Sequence, residues 1–164
     1  MAKLDQKQSI VEEIKGYVEK ASAAVLVDYR GLTVAEDTEL RKKLREAGVV
    51  YKVYKNTMLN FAFKGTAFEA LSKDLQGPTA IAFGFEDATA PARIINDMAK
   101  KMPKLEFKSG VVEGTYYDKD GIKVIATIPS REVLLSRLLG SLKSPIANFA
   151  RVLKQIAEKS ENAA

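Results

Sequence analysis

Apolar positions recur at helical spacing from the start of the chain. Ile10, Val11, Ile14, Val18 and Ala21 share one face behind Asp5, a residue suited to an N-cap, which predicts a helix over 5–21. The pattern then changes to a short run of branched residues, Ala23 to Tyr29, the signature of a largely buried strand. After a turn at Arg30-Gly31-Leu32, Thr33 and Glu36 stand at capping-box spacing. The helix they open carries Glu36, Asp37 and Glu39 early and Arg41, Lys42, Lys43 and Arg45 late, the order its dipole favours, and Gly48 ends it. Val49 to Tyr54 predicts a second strand, and Lys55-Asn56 opens a short helix through Phe63, closed by Gly65.

Thr66 and Glu69 repeat the capping spacing and predict a small helix that stops before Gly77-Pro78. Thr79 to Phe83 predicts a third strand. Pro91, Ile94, Ile95, Met98 and Met102 mark a helix ended by Pro103, and Leu105 to Val112 a fourth strand. Gly114 and Asp118-Lys119-Asp120-Gly121 predict turns, with a short helix near Ile122 to Ala126. The order is a helix, β-α-β, a helical insert and β-α-β again. It predicts an α+β, ferredoxin-like split βαβ domain over residues 1–128, with helices on one face of the sheet.

From Ser130 onward strand signals cease, and residues 129–164 carry one long helical pattern and a short tail. At about 100° per residue, Leu134, Leu135, Leu138, Leu139, Leu142, Ile146, Phe149, Ala150, Val152, Leu153, Ile156 and Ala157 fall within an arc of about 160°. Arg137, Lys143, Arg151, Lys154 and Lys159 lie outside it. Leu135, Leu138, Leu139 and Leu142 map onto Ile146, Phe149, Ala150 and Leu153 at a constant offset of 11 residues, close to three turns, so two similar apolar patches stand in tandem. Between them, Ser144-Pro145 predicts a helix kinked or broken near Pro145, Pro145 being either the first residue of a second helix capped by Ser144 or the cause of a bend. Gly140 adds a cost of roughly 1 kcal/mol in a helix interior.

Such a face either folds back over its own domain or is covered by a partner. The stretch from Ser130 to Lys159 would run about 43 Å as a helix, longer than a small domain is wide. Two βαβ units can already close a core without it. A dozen bare apolar side chains exceed the apolar patch usual on a monomer, which favours a partner held helix-in-groove. A membrane surface is a weaker fit, with few cations on the polar face and no tryptophan to anchor it.

Composition narrows the chemistry. Among 164 residues there is no Cys and no His, so disulfides, thiol nucleophiles, zinc thiolates, imidazole bases and histidine metal clusters are all excluded. No P-loop or dinucleotide glycine motif is present. Asp118 and Asp120 belong to ordinary turn chemistry, and Pro129 stands where a calcium loop would need its last ligand. The expectation is a protein that is not an enzyme, with no cofactor, no metal and no small-molecule substrate. With neither a secretory signal pattern nor a membrane span, it is expected in the cytoplasm.

The net charge of +5 is unevenly spread: Tyr29 to Lys64 holds eight basic and four acidic residues, hence +4 of it. A solvated helix face with Glu39 and Lys43 at i,i+4 explains part of this. Three features favour nucleic acid: Arg30-Gly31 on a turn open to phosphate, Lys55-Asn56 at a helix start, and Tyr51 and Tyr54 flanking Lys52. The consensus of an RNA-recognition motif is absent from the strands, which points to phosphate and shape contacts rather than stacked bases.

Longer strings carry a resemblance. Asp28-Tyr29-Arg30-Gly31-Leu32-Thr33-Val34, Glu39-Leu40-Arg41, Leu44-Arg45-Glu46-Ala47-Gly48 and Tyr51-Lys52-Val53-Tyr54-Lys55-Asn56-Thr57 are similar to the L-ten family of bacterial large-subunit ribosomal proteins, the stalk-base proteins. So are Gly77-Pro78-Thr79-Ala80-Ile81-Ala82-Phe83, Gly110-Val111-Val112-Glu113-Gly114 and Ile128-Pro129-Ser130-Arg131-Glu132, in one colinear order over nearly the whole chain. The resemblance implies a ferredoxin-like domain on large-subunit rRNA beside ribosomal protein L-eleven. It also implies a C-terminal helix carrying dimers of the acidic stalk protein L-seven/L-twelve, which recruit translation GTPases, and in some bacteria repression of the protein's own messenger. Carried over by position, the rRNA-facing residues are Arg30, Gly31, Lys52, Lys55 and Asn56, with Arg41, Lys42 and Arg45 beside them. The stalk-facing residues are Leu134, Leu135, Leu138, Leu139, Leu142, Ile146, Phe149, Ala150, Leu153 and Ile156, and two patches imply two dimers.

Overall fold

A computed structural model describes residues 2–102 and 104–161, with side chains for 8–102, 104–156 and Glu158. The chain divides into two units, Met1–Ile128 and Pro129–Ala164. The first contains α1 (Ala2–Lys20), β1 (Ala23–Asp28), α2 (Val34–Glu46), β2 (Val50–Val53), α3 (Asn56–Phe63), a 3₁₀ segment (Glu69–Asp74), β3 (Ala80–Gly84), α4 (Ala90–Ala99), β4 (Glu106–Val112), β5 (Thr115–Asp118) and α5 (Lys119–Ile125). The second is a single helix, α6 (Arg131–Glu161).

The five strands form one antiparallel sheet in the order β2-β3-β1-β4-β5. Its first four strands have the split βαβ order expected from sequence. The central strand β1 is apolar at five consecutive positions, which only a sheet covered on both sides can bury. Ala23, Val25 and Val27 face Leu40 and Leu44 of α2, Ile95 and Met98 of α4 and Ile122 of α5. Ala24 and Leu26 face Ile14 and Val18 of α1, Leu59 and Phe63 of α3 and Leu71 of the 3₁₀ segment. β3 splits in the same way, Ala80 and Ala82 to one side and Ile81 and Phe83 to the other. Helices therefore cover both faces, not the single face expected. α1 and the α3 insert supply the second layer.

A fifth strand extends the expected four. Glu113 and Gly114 both take positive φ (51° and 77°) and join Val112 to Thr115 across a two-residue loop, the geometry of a tight hairpin. The residues after it, Thr115 to Asp118, pair along β4, so Gly114 turns the chain into a strand rather than into a loop. The Asp118–Gly121 run is not a free turn either. Asp118 precedes α5, and Lys119, Asp120 and Gly121 form its first turn. α5 packs closely on the sheet: a Cβ on Gly110 would stand 2.6 Å from Ile122 Cδ1.

Local capping signals meet mixed outcomes. At α2 the box closes fully. The Glu36 carboxylate accepts from the Thr33 backbone N–H at 2.7 Å, and Thr33 Oγ1 accepts from the Glu36 N–H at 3.4 Å. At Thr66 it does not form: the Thr66 hydroxyl donates instead to the Phe63 carbonyl at 2.8 Å, and the following segment is a 3₁₀ helix preceded by Phe68. Asp5 is not an N-cap, because α1 already begins at Ala2. The expected stop at Pro103 lies outside the described residues.

In the second unit α6 is continuous over 31 residues with Pro145 inside it, so no second helix starts there. Ser144 is not a cap; its hydroxyl accepts from Asn148 Nδ2 at 3.2 Å. The side chains of Ala157 and Lys159, and the tail 162–164, lie outside the described residues.

Candidate functional site

The antiparallel registers bring several loops to one end of the sheet. Val27 and Val53 both pair with Ala80, and Asp28 pairs with Glu106, so β1 and β2 end where β3 and β4 begin. The β1–α2 loop, the start of α3 and the turn before β3 meet there. Tyr29, Val53, Tyr54, Lys55, Asn56, Thr57 and Gly77–Thr79 line an open depression between them.

Arg30 projects from this end, 70% exposed at its side chain, but its guanidinium is oriented. Nη2 donates to Asp28 Oδ2 at 2.8 Å and Nε to the same oxygen at 3.1 Å, while the Arg30 backbone N–H donates to Oδ1 at 3.0 Å. Burial pushes the Asp28 carboxyl up, yet the hydrogen bonds and charge of Arg30 outweigh it and hold the pKa below its ordinary value. Gly31, with φ 78°, lies under the stem of Lys104, whose Cδ would be 2.9 Å from a Cβ there. Lys55 is exposed and precedes α3 without a side-chain cap, leaving a first turn whose N–H groups suit an anion. Asn56 is turned inward: Nδ2 donates to the Gly77 carbonyl at 2.8 Å.

The structure thus places Arg30, Gly31, Lys55 and Asn56 in loops at the same end of the sheet and turns the other sequence-selected cations elsewhere. Arg41 lies along α2, its Nε donating to Asp37 at 2.7 Å and its guanidinium 5.1 Å from the Tyr51 ring centre. Lys42 and Arg45 are exposed on the same helix. Lys52 is turned onto α1, donating to Glu13 and lying 5.2 Å from the Tyr17 ring centre. The hydrogen bond to Glu13 raises the Lys52 pKa and lowers that of Glu13. Tyr51 is buried on β2, whereas Tyr54, just past the strand, is half-buried and lines the depression.

Two lysines at this end escaped the sequence pattern because β4 brings them. Lys104 covers Gly31. Lys108 stands at an irregularity in β4, where Leu26 pairs with Ser109 and Val27 with Phe107. The sequence cue was the position of Lys108 within the predicted fourth strand, Leu105 to Val112.

On α6 every described residue from Arg131 to Ile156 is exposed. That includes all ten residues expected to face a stalk protein, with Leu142 at 66% and Ile146 at 73%. Among the described residues no helix is long and apolar enough to cross a membrane.

Exposed cations at one end of the sheet and exposed leucines along α6 are the surface features that mark the two units. Comparison with known proteins gives the family. Residues 2–100 match the model of Ribosomal protein L10, and residues 128–163 match that of the Ribosomal protein uL10 C-terminal region. The chain is 55% identical to the large ribosomal subunit protein uL10 of Clostridium tetani over 95% of its own length and 91% of the relative's. It is 54% identical to that of Alkaliphilus metalliredigens (95% and 94%) and 52% identical to that of Clostridioides difficile (96% and 95%). The chain belongs to the uL10 family of large-subunit ribosomal proteins. It is accordingly a structural ribosomal protein rather than an enzyme, placed in the cytoplasmic ribosome among rRNA and ribosomal partners.

Proposed function

We propose that the protein forms the base of the large-subunit stalk. Residues 1–128 hold rRNA at the sheet end built by Arg30, Gly31, Lys55 and Asn56, with Arg41, Lys42 and Arg45 extending the contact along α2 and ribosomal protein L-eleven alongside. Lys52 has its first partner within the fold and joins the contact only by exchanging Glu13 for phosphate. Residues 129–164 carry two dimers of the acidic stalk protein L-seven/L-twelve, which recruit translation GTPases. The complex so formed also has the means to bind and repress its own messenger, since both use the same RNA-facing end.

The observation that carries this reading is the apolar face of α6, exposed along its length and repeated at 11 residues. A patch of this size is covered in working assemblies. The basic polar side of the helix complements an acidic partner. Co-expression with the acidic stalk protein followed by native mass spectrometry tests it. Four stalk-protein chains per copy of this protein are expected; a bare monomer would overturn the reading.

A further inference from the structure

Lys108 is the best-satisfied lysine of the sheet end. Its ammonium donates to the Gln76 carbonyl at 2.6 Å, the Pro78 carbonyl at 2.6 Å and the Thr79 hydroxyl at 2.7 Å. A lysine has three N–H donors, and here all three converge on one turn. The same turn is tied from the opposite side by Asn56, which donates to the Gly77 carbonyl. Just before it, Asp74 accepts from the Tyr116 hydroxyl of β5 at 2.7 Å. The turn needs such anchors: Gly77 is in the left-handed region (φ 68°), Pro78 has no N–H to donate, and the Gln76 and Pro78 carbonyls lie before Ala80, where the paired register of β3 begins. Lys108 reaches them because it sits where β4 falls out of register with β1.

We propose that Lys108 is a positioning residue: it holds the Gln76–Thr79 turn against the start of α3 and so sets the spacing of Lys55 and Asn56 relative to Arg30, without itself contacting phosphate. The inference rests on the rRNA reading above. It assigns opposite roles to two neighbouring cations. Arg30 projects outward and neutralises phosphate, whereas the ammonium of Lys108 is consumed by the fold. Half-burial lowers the Lys108 pKa from its ordinary value, which fits a group surrounded by dipoles rather than by solvent.

The experiment measures binding of the full chain to protein-free large-subunit rRNA across a series of KCl concentrations, together with amide hydrogen exchange of the free protein. Lys108→Met is expected to weaken binding on the order of tenfold, the loss typical of hydrogen bonds to a charged group. The slope of log affinity against log salt should stay unchanged, because no phosphate contact is removed. Exchange at Gly77 and Thr79 should quicken while that of β1 does not. Thr79→Val, which removes one of the three acceptors and keeps the charge, should shift affinity in the same direction by less, and serves if Lys108→Met does not fold. Lys108→Arg should restore part of the affinity.

A salt slope reduced by about one in Lys108→Met would make Lys108 a phosphate ligand and overturn the proposal. Wild-type affinity in Lys108→Met or Thr79→Val, with the turn exchanging faster, would overturn it as well while leaving the rRNA reading intact. A wild-type chain that fails to bind the rRNA would overturn both.

Discussion

The first strand and the last helix draw on the same aliphatic residues and treat them oppositely. In β1, Ala23 to Val27 are wholly buried, because strand geometry sends alternate side chains to two helical layers. In α6, leucine and isoleucine lie at helical period on one stripe, and the described side chains of that stripe remain exposed. Hydrophobicity alone does not distinguish the two. What does is period and neighbourhood: an apolar run within a βαβ frame closes a core, whereas an apolar stripe at helical period leaves its described side chains exposed on α6.

The largest expected effects set these regions directly against each other. Leu26→Ala should lower the unfolding free energy by about 3 kcal/mol, read from denaturant titration, since it opens a cavity at the sheet centre. Leu138→Asp with Leu139→Asp should leave that unfolding transition within about 0.5 kcal/mol of wild type, as exposed substitutions do. The same pair should remove one stalk-protein dimer and keep the other. If the double variant destabilised the first unit as a core substitution does, its leucines would belong to the protein's own core, and the contrast would collapse.

Signals confined to a few residues were legible in the sequence where nothing distant competed. Thr33 and Glu36 close a capping box because both partners lie within one turn. Thr66 and Glu69 have the same spacing, yet the Thr66 hydroxyl goes back to Phe63 and the box fails. Helices on both faces were implied by the unbroken runs of β1 and β3, a doubly covered pattern that topology alone does not reveal. β5 was hidden because Tyr116 and Tyr117 on an edge strand do not alternate apolar with polar. Gly110 is too isolated to be a motif; its role is to admit Ile122. The sheet-end site was half legible. Arg30-Gly31 and Lys55-Asn56 are local pairs, whereas Lys104 and Lys108 join them only through strand order. Lys52 was drawn away by Glu13, 39 residues distant in the chain.

The same division between internal and outward use applies to charge, with smaller effects. Arg30→Gln should weaken rRNA binding by about tenfold and reduce the steepness of its salt dependence by about one unit of slope. Lys52→Gln should leave the slope close to wild type and cost about 0.5 kcal/mol of stability, because its pair with Glu13 is over 40% exposed on both sides and screened by solvent. Equal reductions of slope in both variants would show that Lys52 abandons Glu13 for phosphate. The internal assignment of that lysine would then fail.

The smallest effect concerns acid. The hydrogen bond from Lys52 lowers the Glu13 pKa from an ordinary 4.5. For Asp28 and Asp87, ordinary value 3.8, burial pushes upward, but Arg30 in the first case and the Thr89 hydrogen bonds in the second leave both lowered. A carboxyl lowered by folding binds fewer protons in the native than in the unfolded chain. Its stabilisation is therefore complete above the unfolded value and is lost as pH falls through the folded one. Melting temperature should hold steady near neutrality and decline below about pH 5, with Asp28→Asn flattening that decline. Asp28→Asn also frees the Arg30 guanidinium, so the variant separates two functions of one carboxylate. A flattened acid limb with unchanged rRNA affinity would assign Asp28 to stability alone. A flattened limb with altered affinity would show that Asp28 aims the outward-facing arginine, joining the internally satisfied charges to the exposed end they support.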